Sequence, residues 1–332
     1  MILHTVTMTD TLAWSAGSKK TLDIDRNGYI THLNLLLKAV YDTASAGLSA
    51  NEDGLAHLLS SVRIATAGRD FYNINDGRLG LFLARCQYQD AIRSDSLTTT
   101  VSQSDVTDYM QLPIHLGLQF YNTVDKTVVI PAVELPSLDL EVTWGSASAL
   151  GTGYTVTSGT LYVTYTEILL QTGETRESIF PGGLYIPRMN PQAKTVSSAY
   201  SNLSLEVDVP VGDILAWILI LVHGATTGKR CNNLVTEFGF KFPKEAQTPY
   251  RVSWLDETTL TRQRWALQHD YKGVVFFPLS LISGKEIGYD LSGYQVGDAK
   301  IAFTTSLSDT TDGDSAQSSG GTIYLLFYNV GL

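Results

Sequence analysis

Charge and cysteine are both scarce in this 332-residue chain. Only 17% of its residues are charged, and only Cys86 and Cys231 carry a thiol. Two isolated cysteines make no disulfide framework, and without a CxxC pair they make no zinc site. They read as buried free thiols of a chain made in a reducing cytosol. Cations are outnumbered, with 23 Lys and Arg against 33 Asp and Glu, a net charge of −10. Such a chain displaces few counterions from phosphate, so no sequence-specific nucleic-acid partner is expected. Long apolar runs are missing too. The longest, Ile214–Val222, has nine residues, whereas a membrane-spanning helix needs about 20. It reads as a strand buried on both faces. Met1–Trp14 has no basic start and no long apolar stretch, so no secretory route is evident. Catalytic signatures are also lacking: there is no GxSxG and no glycine-rich phosphate loop. The chain is expected not to be an enzyme, with no catalytic, cofactor-binding or metal residue and no cofactor.

What the chain has is apolar and aromatic material, 44% and 10% of its residues, enough for a sizeable core. Most of it recurs with period two. Leu138, Leu140, Val142 and Trp144 alternate with Asp139, Glu141 and Thr143, and Leu58, Val62 and Ile64 lie opposite Ser61 and Arg63. Such alternation puts one set on one face of a strand. Two segments, Asp76–Arg93 and Asp256–Tyr271, have helical spacing instead. Each stands alone among strands, without the strand–helix rhythm of a parallel α/β fold. Pro181, Pro187 and Pro191 fall within eleven residues, which reads as a linker outside any sheet. Ser94–Tyr109, Gly145–Ser158 and Thr305–Gly320 are small and polar and read as long exposed loops.

The two halves repeat one another in order. Thr21–Asp25 matches Ser204–Asp208, and the apolar strand Tyr29–Leu37 matches Ile214–Val222. Leu58, Ser60, Val62 and Ile64 match Leu234, Thr236, Phe238 and Phe240, and then the helical segments coincide. Leu112–Leu116 matches Phe277–Leu281, Asp139, Val142 and Trp144 match Asp298, Ile301 and Phe303, and Gly159–Tyr165 matches Gly321–Phe327. The order and the apolar face are kept throughout, as duplication requires. The expected fold is all-β: two tandem eight-stranded antiparallel jelly-roll β-sandwiches, each with one short helix between strands. The expected boundaries are an N-terminal arm over 1–20, a first jelly roll over 21–180, a linker over 181–192 and a second jelly roll over 193–332. Because Ile214–Val222 is apolar on both faces, the second copy is expected to sit deeper in the subunit or in a trimer contact.

On these residues the chain resembles the double jelly-roll major capsid proteins of tailless icosahedral viruses. That lineage includes adenovirus hexon and the coats of internally membraned phages. The likeness is carried by Thr21–Asp25 and Ser204–Asp208, by Leu112–Leu116 and Phe277–Leu281, by Glu134–Leu138 leading into Leu140, Val142 and Trp144, and by Gly151–Tyr154 with Ser158–Tyr162. The resemblance implies a bacteriophage-type structural protein of the virion, made in the host cytoplasm. It would form homotrimeric capsomers of pseudo-hexameric outline, with the strands upright and the long loops forming towers. Its implied partners are itself, neighbouring capsomers, minor capsid or vertex proteins, and an internal lipid membrane. Met1–Lys20 departs from a membrane-tied version, having no basic amphipathic helix.

The side chains that invite another reading are few. His4, His32, His57, His115, His223 and His269 stand at no metal-ligand spacing and read as structural. Asp23 with Asp25, and Glu206 with Asp208, are spaced to share a strand face. Their recurrence in both halves suggests a structural role, such as pairing with Lys or Arg of another subunit. Asp309, Asp312, Gly313 and Asp314 resemble part of a calcium loop but lack its late Glu. The sequon Asn202–Leu203–Ser204 is expected to be silent. The alternative function is a carbohydrate-binding tandem β-sandwich, a viral spike or lectin, with Trp14, Trp144, Trp217, Trp254 and Trp265 as stacking candidates. A two-domain cupin needs a cluster of His with a carboxylate, which the sequence does not supply.

Overall fold

The computed structural model describes residues 2–7, 10–118, 128–225, 229–242, 250–285, 287–307 and 320–331. The chain divides into two compact units, Met1–Arg188 and Met189–Gly331. The first holds β1 (Ile2–Thr7), β2 (Leu12–Ala13), β3 (Lys19–Asp23), β4 (Tyr29–Thr43), β5 (Ser49–Ala50), β6 (Leu59–Thr66) and β7 (Arg69–Ile74). Helix α1 (Gly77–Tyr88) follows, then β8 (Val106–His115), β9 (Asp139–Trp144), β10 (Gly151–Thr152), β11 (Tyr154–Leu169) and the one-turn α2 (Arg176–Ile179). Strand β12 (Ile186–Val196) crosses the boundary. The second unit continues with β13 (Tyr200–Asp208), β14 (Ile214–Gly224), β15 (Val235–Lys241), β16 (Tyr250–Ser253) and α3 (Trp254–Arg264). It ends with β17 (Val274–Pro278), the one-turn α4 (Ser280–Ser283), β18 (Tyr289–Asp290), β19 (Lys300–Thr305) and β20 (Gly321–Gly331).

Each unit is a pair of antiparallel sheets with one topology. The first pairs β1-β11-β4-β8 and β3-β9-β6-β7; the second pairs β12-β20-β14-β17 and β13-β19-β15-β16. With the eight principal strands of each unit numbered along the chain, both units read 1-8-3-6 and 2-7-4-5. Successive strands mostly alternate between facing sheets, which is the winding of a jelly roll. The three-turn helices α1 and α3 fall at the same place, between the fifth and sixth principal strands. α1 begins where the Asp76 side chain accepts the Arg78 amide, an N-cap. It ends at Tyr88, short of Arg93, where Gln89 turns left-handed with φ 53°.

Period two becomes sandwich. In β4 the residues from Thr31 to Tyr41 at odd positions are buried, and the intervening residues are half-buried. In the second unit Leu205, Ile218, Phe238, Phe240, Phe277, Ile301, Phe303, Leu325 and Phe327 close one core between the two sheets. β14 is buried at every residue from Leu215 to Gly224. Its two apolar faces are therefore covered within the chain, and no trimer contact is needed to cover them.

The repeat reaches the hydrogen-bond register. Leu33, Leu35 and Leu37 pair with Tyr165, Val163 and Leu161. Their counterparts Ile218, Ile220 and Val222 pair with Phe327, Leu325 and Ile323. Elsewhere the alignment slides by two residues: Leu35 pairs with Leu112, but Ile220 pairs with Val275 rather than Phe277. A slide of two keeps the face, because the side-chain period is two.

Four expectations need correction. Residues 1–20 are not an arm: β1 and β2 pair with β11 inside the first sheet. The alternation of Ile2–Thr7 is weak because this strand is largely exposed. Residues 181–192 are not free of sheet, since β12 starts at Ile186 and holds Pro187 and Pro191. β12 lies at a sheet edge, where the N–H of alternate residues faces away from the ladder and proline is tolerated. Gly145–Ser158 contains β10 and the start of β11, and Ser94–Tyr109 runs into β8 at Val106. Threonine and serine pair readily in ladders, so small polar composition did not exclude strand there.

Candidate assembly surface

The outer faces of β3-β9-β6-β7 and β13-β19-β15-β16 carry ion pairs that run across strands. In the first unit Lys19 of β3 meets Glu141 of β9 at 2.9 Å, Glu141 meets Arg63 of β6 at 2.8 Å, and Arg63 holds Asp70 of β7. Every strand of that sheet thus supplies one member of a single ladder. Burial alone would raise the Glu141 carboxyl, but bonds from Lys19 and Arg63 outweigh it and hold the group below its usual range. In the second unit Glu206 accepts from Lys241 at 2.8 Å and Lys300 at 2.7 Å, which together depress its pKa. Glu237 is held down mainly by Arg251, with Thr304 as a second donor. Alternating charges at cross-strand spacing are favourable pairs.

Edges form the other half of an assembling surface, since an edge strand offers unpaired backbone groups. Eight principal strands end the four main sheets, β1, β8, β3, β7, β12, β17, β13 and β16, and the two-residue β2 and β18 also lie at edges. Seven are guarded by charge or proline. β3 has Lys19, Lys20 and Asp23, β7 has Arg69 and Asp70, and β8 has Asp108 and Pro113. β12 has Arg188, Lys194 and two prolines, β13 has Glu206 and Asp208, β16 has Arg251, and β17 ends on Pro278. β1, Ile-Leu-His-Thr-Val-Thr, has neither.

The histidines are dispersed, with one exception. His32 and His115 sit directly opposite in the β4–β8 ladder, with ring centroids 6.4 Å apart. Tyr88 at the end of α1 bonds His32 Nε2 at 2.9 Å. Burial, and then His115, push the His32 pKa down to about 4. His57 bonds the Glu52 carbonyl at 2.7 Å, and burial lowers its pKa. His4 of β1 meets the fully buried Glu167 of β11 at 3.3 Å, and burial raises the Glu167 carboxyl. Sequence spacing does not show the His32–His115 pair, because it is made by strand register and not by local periodicity. The one available signal was that both residues lie in strands.

The remaining candidates separate in the same way. Among the described residues no three His, Cys, Asp or Glu gather as a metal donor set. Asp23 closes β3 and Asp25 lies beyond it, both exposed. Glu206 has its lysine partners in its own chain, so it needs none from another subunit. Asp309, Asp312, Gly313 and Asp314 lie outside the described residues. Asn202 and Leu203 both have positive φ, 52° and 53°, so the sequon sits at an irregularity of β13. Trp144, Trp217 and Trp254 are buried, and Trp14 and Trp265 are half-buried. The three buried rings offer no open face for a stacking sugar. Neither cysteine is in a disulfide and both are buried, and burial raises the Cys86 thiol well above its usual range.

No protein-family model matches the chain, and no curated protein sequence matches it. Solved structures do. The chain is similar to the STIV MCP, from Sulfolobus turreted icosahedral virus, with a TM-score of 0.78 at 15% identity, covering 100% of this chain and 97% of that one. It is similar to the PBCV-1 virus capsid chain at 0.64 and 11% identity, covering 99% and 93%. It is also similar to the major capsid protein of bacteriophage PM2 at 0.59 and 10% identity, covering 100% and 98%. The likeness is one of fold, and it spans both jelly rolls.

Proposed function

We propose that the chain is a major capsid protein, a structural protein without enzymatic activity. It forms homotrimeric capsomers of pseudo-hexameric outline that tile an icosahedral shell. The observation that carries this reading is the duplicated jelly roll. Both units have one strand order, and their fold is shared over nearly full length with capsid proteins of viruses from different hosts. A chain of two similar halves gives a trimer six similar corners, and such a block tiles a surface closely. Its partners are then itself and neighbouring capsomers, with minor capsid or vertex proteins where the lattice changes. The cross-strand ion pairs favour the same role, since they hold two sheet faces polar while the sandwiches stay rigid. An internal membrane beneath the shell is a further partner of this reading. Its net charge of −10 disfavours direct contact with the genome.

Light scattering on the eluting protein tests the reading. The capsomer gives about 109 kDa, three times the 36.3 kDa chain, and negative-stain images show near-hexagonal particles. A monomer that is retained on a glycan resin overturns it in favour of a sugar-binding sandwich.

A further inference from the structure

We propose that β1 is a pH-released strap: it lies on β11 while the carboxyl of Glu167, beneath His4, holds a proton, and it peels from β11 when that proton leaves. Apart from this contact the seat of the strand is weak. β1 ends its sheet and pairs with β11 through six residues. Ile2 is 49% exposed and Leu3 45%, so little apolar area holds the strand down. A segment with few buried contacts opens at a lower cost than the whole fold.

Glu167 is the unusual group beneath it. The residue is fully buried, and the ladder sets it between His4 of β1 and Ile30 of β4. Its Oε1 has one side-chain partner, His4 Nδ1 at 3.3 Å. Oε2 has no partner among the described residues. The buried hydroxyl of Tyr165, two residues earlier on the same strand face, has none either. The groups that face the carboxyl are His4 from β1, Tyr165 from β11, and Asp25 and the Gly28 amide from the β3–β4 connection. β4 contributes the apolar Ile30. Among the described residues no lysine or arginine pairs with Glu167.

A buried carboxylate with an unmatched oxygen carries a desolvation cost, which a proton removes. Peeling β1 away removes it too, because His4 no longer covers the group and water reaches it. Docking of β1 and protonation of Glu167 are therefore linked. Burial raises the docked carboxyl and Asp25 adds to the rise, against the pull of His4 and the Gly28 amide. For a raised carboxyl, docking is fully favoured below the ordinary glutamate value, and the advantage is lost as pH rises through the raised one. Acid fastens the strap and alkali frees it. The first unit as a whole responds in the opposite sense, since His32 costs it stability as pH falls below 6.5. Release of the strand is thus separable from unfolding.

Amide exchange on the full chain reads the strap, with each rate divided by the intrinsic rate at the same pH. One linked proton changes protection by up to about tenfold per pH unit. From about pH 5 to about pH 8, protection of the β1 amides bonded to β11 is expected to fall by about tenfold or more, while that of the central β4 amides does not fall. Glu167→Gln, neutral at every pH and of the same size, is expected to keep β1 protected and hold the change within about twofold. Asp25→Asn, at an exposed site, is expected to lessen the change, because one cause of the raised carboxyl is gone. Level protection of β1 across this range in the wild type overturns the proposal. A fall that Glu167→Gln shares overturns it as well, by assigning release to another group. A fall that β4 shares overturns it in favour of unfolding of the whole unit.

Discussion

Phe238 is the centre of the second core, and its removal gives the sharpest test of that sandwich. The ring is fully buried, with the rings of Phe277 at 6.0 Å, Phe240 and Trp254 at 6.1 Å, Tyr250 at 6.2 Å and Phe303 at 6.4 Å. These five neighbours come from β17, β15, α3, β16 and β19, so no single element can move to fill the space. Phe238→Ala empties about 100 Å³, and at roughly 24 cal/mol per Å³ the cavity costs about 2.4 kcal/mol. Lost transfer free energy adds about 2 kcal/mol. Edge-to-face contacts with Phe240, Trp254 and Phe277 push the total toward the upper end of the about 3–5 kcal/mol range for Phe→Ala. In urea with a slope of about 2 kcal/mol/M, the midpoint of the second unit falls by about 2 M. Tryptophan emission follows it, since Trp217, Trp254 and Trp265 lie in the second unit. Val296→Ala, at a site 88% exposed, is the control and stays within about 0.5 kcal/mol. A loss below about 1 kcal/mol for Phe238→Ala would refute the single packed core.

Three further outcomes follow from particular residues. His32 has its folded pKa lowered from 6.5 to about 4, so as pH falls from 6.5 the unfolded chain takes up a proton that the folded chain refuses. Stability therefore declines between pH 6.5 and about 4, by about 3 kcal/mol at most, and His32→Gln flattens that slope in pH-dependent melts. Glu206 has the same sign of linkage in a more acid window: its depressed folded pKa gives stability that is present above the ordinary glutamate value and lost as pH falls through the folded one. Glu206→Gln removes this acid-limb dependence and leaves melts at pH 8 to show the lost lysine bonds. Gly273 sits at φ 69°, and a Cβ there would meet the backbone oxygens of Val222 at 2.6 Å and Cys231 at 2.9 Å. Gly273→Ala forces backbone apart at the entry to β17 and is expected to cost at least about 2 kcal/mol, read as a lowered melting temperature.

Much of the fold was legible because strands announce their faces. Alternation placed Leu33, Leu35 and Leu37 inward without reference to any other strand, and the same held for Val142 and Trp144. Duplication was legible because both copies keep that facing, down to the shared register of β4 with β11 and of β14 with β20. The surface was far less legible. Glu141 gives no sign in sequence that Lys19 and Arg63 will flank it, and His32 gives none that His115 will stand opposite. Asp23 and Glu206 matched in the repeat, yet only Glu206 gained lysines, Lys300 on the adjacent β19 and Lys241 on β15 beyond it.

The sequence by itself determined the period, the buried face of the strongly alternating strands, the places of α1 and α3, and the order of two equivalent halves. These are local properties, set by side chains two or four residues apart. Tertiary structure alone decided which strand lies beside which. It put β1 into the first sheet, gave β12 an edge position that tolerates proline, and left one principal edge in eight without a guard. The physical reason is that periodicity fixes a strand's face but not its neighbour. A neighbour is chosen by hydrogen bonds between segments far apart in the chain, after the cores have set which strands can meet.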